Sequence, residues 1–207
     1  KIEFDKHANS TGSRDVTCSL VAINLKSIIK AVATILQAQL VEVTILHSAF
    51  NKKKGSKTAK AINLPSDVEY FDEEKYIKMR PDFDKESFML FKTTPSVDQI
   101  YDFIKALYDY SQMRYIIPLL ETKQLILLSP ECSIVCLIYI NRLIAFTGMR
   151  LKPTNWRPLI VCCLLAAQKV CDDKEISDDE VAYMYPFFSV EEIDVLEKKF
   201  LELIQYG

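Results

Sequence analysis

A chain of 207 residues is long enough for one substantial core or two small ones, and 49% hydrophobic and 26% charged residues with only 4 Gly and 8 Pro suit a globular, mostly helical protein. The formal net charge is -2 and the isoelectric point about 5.8, so no basic field draws phosphate backbones or acidic membranes, which argues against a nucleic-acid partner. The six cysteines include no CxxC pair and stand beside only two histidines, which argues against a zinc site and fits thiols used as small hydrophobes in a reducing, intracellular compartment.

Residues 1–16 are polar and read as an irregular leader. From 17 to 49 the chain is apolar at roughly helical period, through Leu20, Ile23, Ile28, Ala31, Ile35, Ala38, Val41 and Ile45. Asn24, Lys26, Lys30, Gln37 and Gln39 interrupt that run, which argues against an integral membrane span and for a long or broken amphipathic helix. Residues 50–94 read as a linker and strap: "NKKKGSKTAK" is a solvated basic loop, and the piece after it alternates acids with Tyr70, Phe71, Tyr76, Phe83 and Phe88.

From Pro95 the helix signals sharpen. In "PSVDQIYDFIKALYDYSQM", Ser96 and Gln99 stand at capping-box spacing before Ile100, Phe103, Ile104, Leu107 and Tyr108. "RYIIPLLETKQLILL" holds Pro118 and is ambiguous between a broken helix and an extended excursion. "SPECSIVCLIYINRLIAFTG" has Ser129 as N-cap, Pro130 at the first helical position and Gly148 as terminator. Its interior is apolar on nearly every side, which predicts a central helix surrounded by others. "KPTNWRPLIVCCLLAAQKVC" reads the same way from Pro158, with Trp156 anchoring the turn before it. After "SDDEVAYMYPFF", Ser189 and Glu192 cap a last helix whose stripe is Ile193, Leu196, Phe200, Leu203 and Ile204. Five helices from 95 onward predict a compact, orthogonal, all-α domain.

Templates for independent catalysis fail. Neither His7 nor His47 has a nucleophile in a recognisable setting, and GxGxxG, GxxxxGK[ST] and HExxH are absent. No cofactor or metal is called for. The informative charges are Lys169, four residues after Leu165, and Glu197, four after Ile193; both extend the apolar stripes of their helices. An ammonium or carboxylate there needs a partner to offset desolvation. The plainer alternative is that Lys169 snorkels from its last turn and Glu197 pairs locally.

Taken in order, "PSVDQIYDFIKALYDYSQM", "SPECSIVCLIYINRLIAFTG", "PTNWRPLIVCCLLAAQKVCDDKEI" and "FSVEEIDVLEKKFLELIQY" resemble the cyclin box, within the group that includes cyclin Y and the phosphate-pathway cyclins of yeast. The resemblance covers residues 95–206. It implies a single five-helix cyclin-box fold with additional N-terminal helices, and an insertion at 114–128. It also implies a regulatory subunit, not itself an enzyme, that binds and activates a cyclin-dependent serine/threonine protein kinase of the kind that serves the cell cycle.

In that family a lysine at the end of the third helix and a glutamate in the fifth form an ion pair on the kinase-binding face; they fall here on Lys169 and Glu197. Val170 is then an apolar contact, and Asp172 and Asp173 face basic kinase residues. Cys171 stands where close relatives carry tryptophan and is read as a packing residue. The alternative function is a cyclin-like adaptor or transcription-associated scaffold without kinase activation. Residues 17–49 then touch the kinase, fill a groove of the box, or support self-association. The location implied is cytoplasmic, nuclear or both, and the start on Lys1 leaves open an upstream segment for peripheral membrane attachment.

Overall fold

The computed structural model describes residues 12–53, 70–77, 92–113, 128–172, 176–185 and 187–205, with the side chains of the first helix described from 25 to 45. All regular structure among them is helical: α1 Gly12–Lys53, α2 Glu73–Ile77, α3 Val97–Met113, α4 Pro130–Thr147, α5 Trp156–Cys171, α6 Asp178–Met184 and α7 Val190–Leu203. The expected boundaries shift at the N-terminus. Residues 12–16 belong to α1 instead of an irregular leader, and α1 continues to Lys53, into the stretch read as a basic loop. Residues 78–91 and 114–127, and with them Phe83, Phe88 and Pro118, lie outside the described residues.

Local signals set most helix ends. At α3 the Ser96 N–H donates to Gln99 Oε1 at 2.8 Å and the Gln99 N–H to Ser96 Oγ at 3.2 Å; at α7 the same exchange between Ser189 and Glu192 measures 2.7 and 3.3 Å. Each box satisfies backbone donors that the first turn leaves open. Gly148 ends α4 in the left-handed region at φ 67°, its N–H donating to Ile144 O at 2.9 Å.

α5 is the centre. Pro158 and every residue from Leu159 to Gln168 are buried, and α5 packs on both α4 and α7. The expectation of a surrounded helix holds for the one that begins near Pro158 and is corrected for the 129–148 helix. α4 buries a single face, Cys132, Ser133, Cys136, Tyr139, Ile140 and Leu143, and leaves Ile134, Ile138 and Phe146 exposed. An all-round apolar composition does not distinguish a surrounded helix from one with a bare apolar face. α1 lies across α3 and α4 and inserts Ile29, Val32, Ala33, Leu36 and Leu40 into the common core. Leu25–Ile45 and Pro130–Thr147 are long and apolar enough to cross a membrane by length and composition, and each has one face in this core.

Candidate functional site

The last turn of α5 carries three polar side chains with three different destinations. Gln168 is buried, and its Oε1 accepts the N–H of Ile176 at 3.0 Å, so the chain returning toward α6 is pinned to the helix it has just left. Lys169 turns to α7. Asp172, the C-cap, turns to the start of α4, where its Oδ2 lies 3.4 Å from the Ser129 N–H and 3.4 Å from Cys132 Sγ. A carboxylate at a helix N-terminus is favoured by the dipole. Asp172 therefore ties α5 to α4 inside the molecule, and its expected role toward a partner's basic residues has to share that oxygen with Ser129.

Lys169 and Glu197 meet across 28 residues. Lys169 Nζ lies 2.6 Å from Oε1 and 2.8 Å from Oε2 of Glu197. Oε2 accepts a hydrogen bond, whereas Oε1 is buried without one, since the ammonium reaches it only in ion-pair geometry. Glu197 is 7% exposed and the Lys169 side chain 31%. The pair is thus sealed on the carboxylate side and open on the ammonium side. Local pairing of Glu197 with Lys198 or Lys199 does not occur: Lys198 binds Asp194 at 2.7 Å and Lys199 binds Glu202 at 2.8 Å.

Val170 and Cys171 are exposed beside this pair. The packing role expected of Cys171 is corrected by that exposure. Asp173 lies outside the described residues. Burial and the nearby Glu197 carboxylate raise the pKa of Asp178, at the start of α6, while Lys169 opposes the shift. Asp178 therefore belongs to the same electrostatic neighbourhood as the pair. The surface is a lysine held among acids, with a valine at its edge. Its open side presents the ammonium donors of Lys169, while the Glu197 carboxylate is enclosed.

A second polar cluster lies at the other end of α5 and joins parts of the chain that sequence reading left apart. Glu73 of α2 is 1% exposed. Its Oε2 accepts from Arg157 Nη1 at 3.1 Å, its Oε1 accepts from the Tyr185 hydroxyl, and its backbone N–H donates to Thr154 O at 2.8 Å. Arg157 also lies 4.4 Å over the Trp156 ring, which meets Phe103 edge-on at 5.2 Å. Desolvation pushes the Glu73 pKa up, against the opposing pull of Arg157 and Tyr185. Both carboxylate oxygens of Glu73 are spent on structure, so the cluster staples the strap to the start of α5.

Apart from Cys171, the described thiols follow the packing reading. Cys132, Cys136, Cys162 and Cys163 are buried; burial pushes the Cys132 thiol up to about 12 and those of Cys162 and Cys163 upward as well, away from the thiolate a nucleophile needs. No group of metal-ligating side chains assembles among the described residues. No protein-family model matches the chain, and no solved structure matches it.

Proposed function

We propose that this chain is a regulatory subunit that binds and activates a cyclin-dependent serine/threonine protein kinase, with α3 to α7 forming a cyclin box and the surface around Lys169 and Glu197 as the docking face. The single observation that carries the reading is the ion pair between the last turn of α5 and the middle of α7, two helices whose order and signatures resemble the third and fifth of that box. The pair fixes the separation of the two helices while the open side of Lys169 and the exposed Val170 face outward. Once a partner excludes water, charge-assisted bonds from Lys169 to backbone carbonyls gain strength. In this reading the chain supplies no catalytic group. It positions the kinase helix whose glutamate completes the catalytic Lys–Glu pair.

The experiment is copurification from native extract followed by mass spectrometry, with kinase activity measured in the captured fraction. The reading expects a cyclin-dependent kinase in the wild-type capture and its loss with Lys169→Glu or Glu197→Lys in a folded chain. Undiminished capture by both reversals removes the site assignment.

One observation favours a second reading, a cyclin-like adaptor or transcription-associated scaffold. Cys171 is exposed where the resembled group carries tryptophan, so the face lacks the aromatic anchor that concentrates binding energy in many interfaces. Capture of a partner without kinase activity is the outcome that selects it.

A further inference from the structure

α4 shows two faces of opposite placement. Its inner residues pack on α5, while Ile134 at 46%, Ile138 at 56% and Phe146 at 50% exposure lie outside. One edge of the outer face is set by Gln39 of α1, whose Nε2 donates to Asn141 Oδ1 at 2.8 Å. The other edge is set by Arg142, whose Nη2 donates to Gln205 O at 3.3 Å just past α7 and whose guanidinium lies 5.2 Å from the Phe146 ring. Along this face Glu131, Ile138 and Arg142 fall within about 40° of one another around the helix, with Ile134 and Phe146 about 60° to either side of Glu131.

Charge along the strip has a simple pattern. Ten residues with no ionisable acid or base of the Asp, Glu, Lys, Arg or His type separate Glu131 from Arg142. Eleven positions span three turns and about 16 Å, so the acid and the base mark the two ends of one apolar line. Glu131 is exposed and forms no ion pair among the described residues; Arg142 spends one donor on Gln205, and a guanidinium has five. A strip with an acid at one end, a base at the other and isoleucines between is complementary to itself when reversed.

We propose that two copies of this chain associate through α4 in a two-fold, antiparallel pairing, Glu131 of each facing Arg142 of the other and Ile134 of each packing beside Ile138 of the other. Such an arrangement is isologous, so a single face serves both copies. It places the association on α4 instead of the N-terminal helix, for which self-association was one of three expected uses. A helix pair of this length buries less than a standard interface of roughly 1,600 Å². The dimer is accordingly a weak one, and the end charges set its register.

Sedimentation equilibrium of the full chain from about 1 to 500 µM tests it, with circular dichroism as the check on folding. The wild type is expected to dimerise in the micromolar range, and Glu131→Arg and Arg142→Glu are each expected to weaken dimerisation by roughly tenfold or more, since each places like charges together twice. An equimolar mixture of the two variants is expected to form a heterodimer with affinity near the wild type, because both end contacts then join opposite charges. That recovery cannot come from misfolded chains. A wild type that stays monomeric at the highest concentration overturns the proposal, as does a monomer that partitions onto phosphatidylcholine vesicles. A dimer that both single variants leave unchanged, or a mixture that fails to recover, overturns it equally.

Discussion

Glu73 and Arg157, 84 residues apart, join the short helix α2 to the first turn of the central helix through a 3.1 Å bond whose carboxylate is almost fully enclosed. Arg157 retains partial exposure along its side chain, so the two ends of the bond respond differently to removal. Arg157→Ala leaves a buried carboxylate with Tyr185 as its remaining named donor and is expected to cost about 2 to 4 kcal/mol. Glu73→Gln keeps an acceptor for Tyr185 and is expected to cost about 1 kcal/mol at neutral pH. Urea unfolding of the two variants and of the double variant gives the order and the coupling. Equal costs would show that the enclosed carboxylate is not the dominant liability.

The same carboxylate gives stability a pH slope. Desolvation raises the folded-state pKa of Glu73 above its ordinary value, Asp72 adds to the rise, and Arg157 and Tyr185 only partly oppose it. The folded chain therefore holds the proton more tightly than the unfolded chain. The contribution is fully present below the unfolded pKa, near 4.5, and is lost as pH rises through the folded pKa. Glu73→Gln cannot ionise. Its stability relative to wild type is expected to increase from about pH 4.5 upward and then level off, which urea unfolding at a series of pH values checks. A difference that is flat across this window would remove Glu73 as its source.

Gly148 separates conformational from steric cost. At φ 67° it stops α4, and a Cβ added there meets nothing within 4 Å. Gly148→Ala is therefore expected to destabilise only through the left-handed backbone, by about 1 kcal/mol, with no further loss on Gly148→Leu beyond a few tenths. Thermal unfolding of both variants checks this, and a much larger loss for leucine would mean that the space is not open.

How much of this was legible depended on the distance over which each signal acts. The capping boxes at Ser96 and Ser189, the stop at Gly148 and the buried Ile193, Leu196 and Phe200 are written within a few residues, and the structure has them in those roles. Lys169 and Glu197 were legible as charges out of place on apolar stripes, though their contact needed the helix crossing. Glu73 carried no such mark, since it sits in an acid-rich stretch that solvation alone explains, and Asp172 was read toward a partner instead of toward α4; the residues they meet lie 84 and 43 positions away. The bare strip on α4 was hidden for another reason. Hydrophobicity on all sides describes the helix and not what surrounds it, so only the packing of α5, the more enclosed of the two, revealed which face of α4 was left over.

The Lys169–Glu197 pair should be asymmetric when broken. Glu197 is enclosed and its Oε1 has no hydrogen bond, whereas about a third of the Lys169 side chain reaches solvent. Lys169→Met leaves a carboxylate in the interior with its counter-charge gone, and the expected loss is about 2 to 3 kcal/mol, below the value for a wholly buried pair because water still reaches the lysine side. Glu197→Gln leaves an ammonium that can turn outward along its flexible stem, and the expected loss is about 1 kcal/mol or less. Replacing both with Met and Leu removes the stranded charge and is expected to recover much of what Lys169→Met alone loses. Stability and partner capture should then part company: the double apolar variant folds well yet presents neither ammonium nor carboxylate. Urea unfolding measured beside capture of the proposed kinase resolves the two, and an apolar pair that captures as well as wild type would assign the ion pair to folding alone.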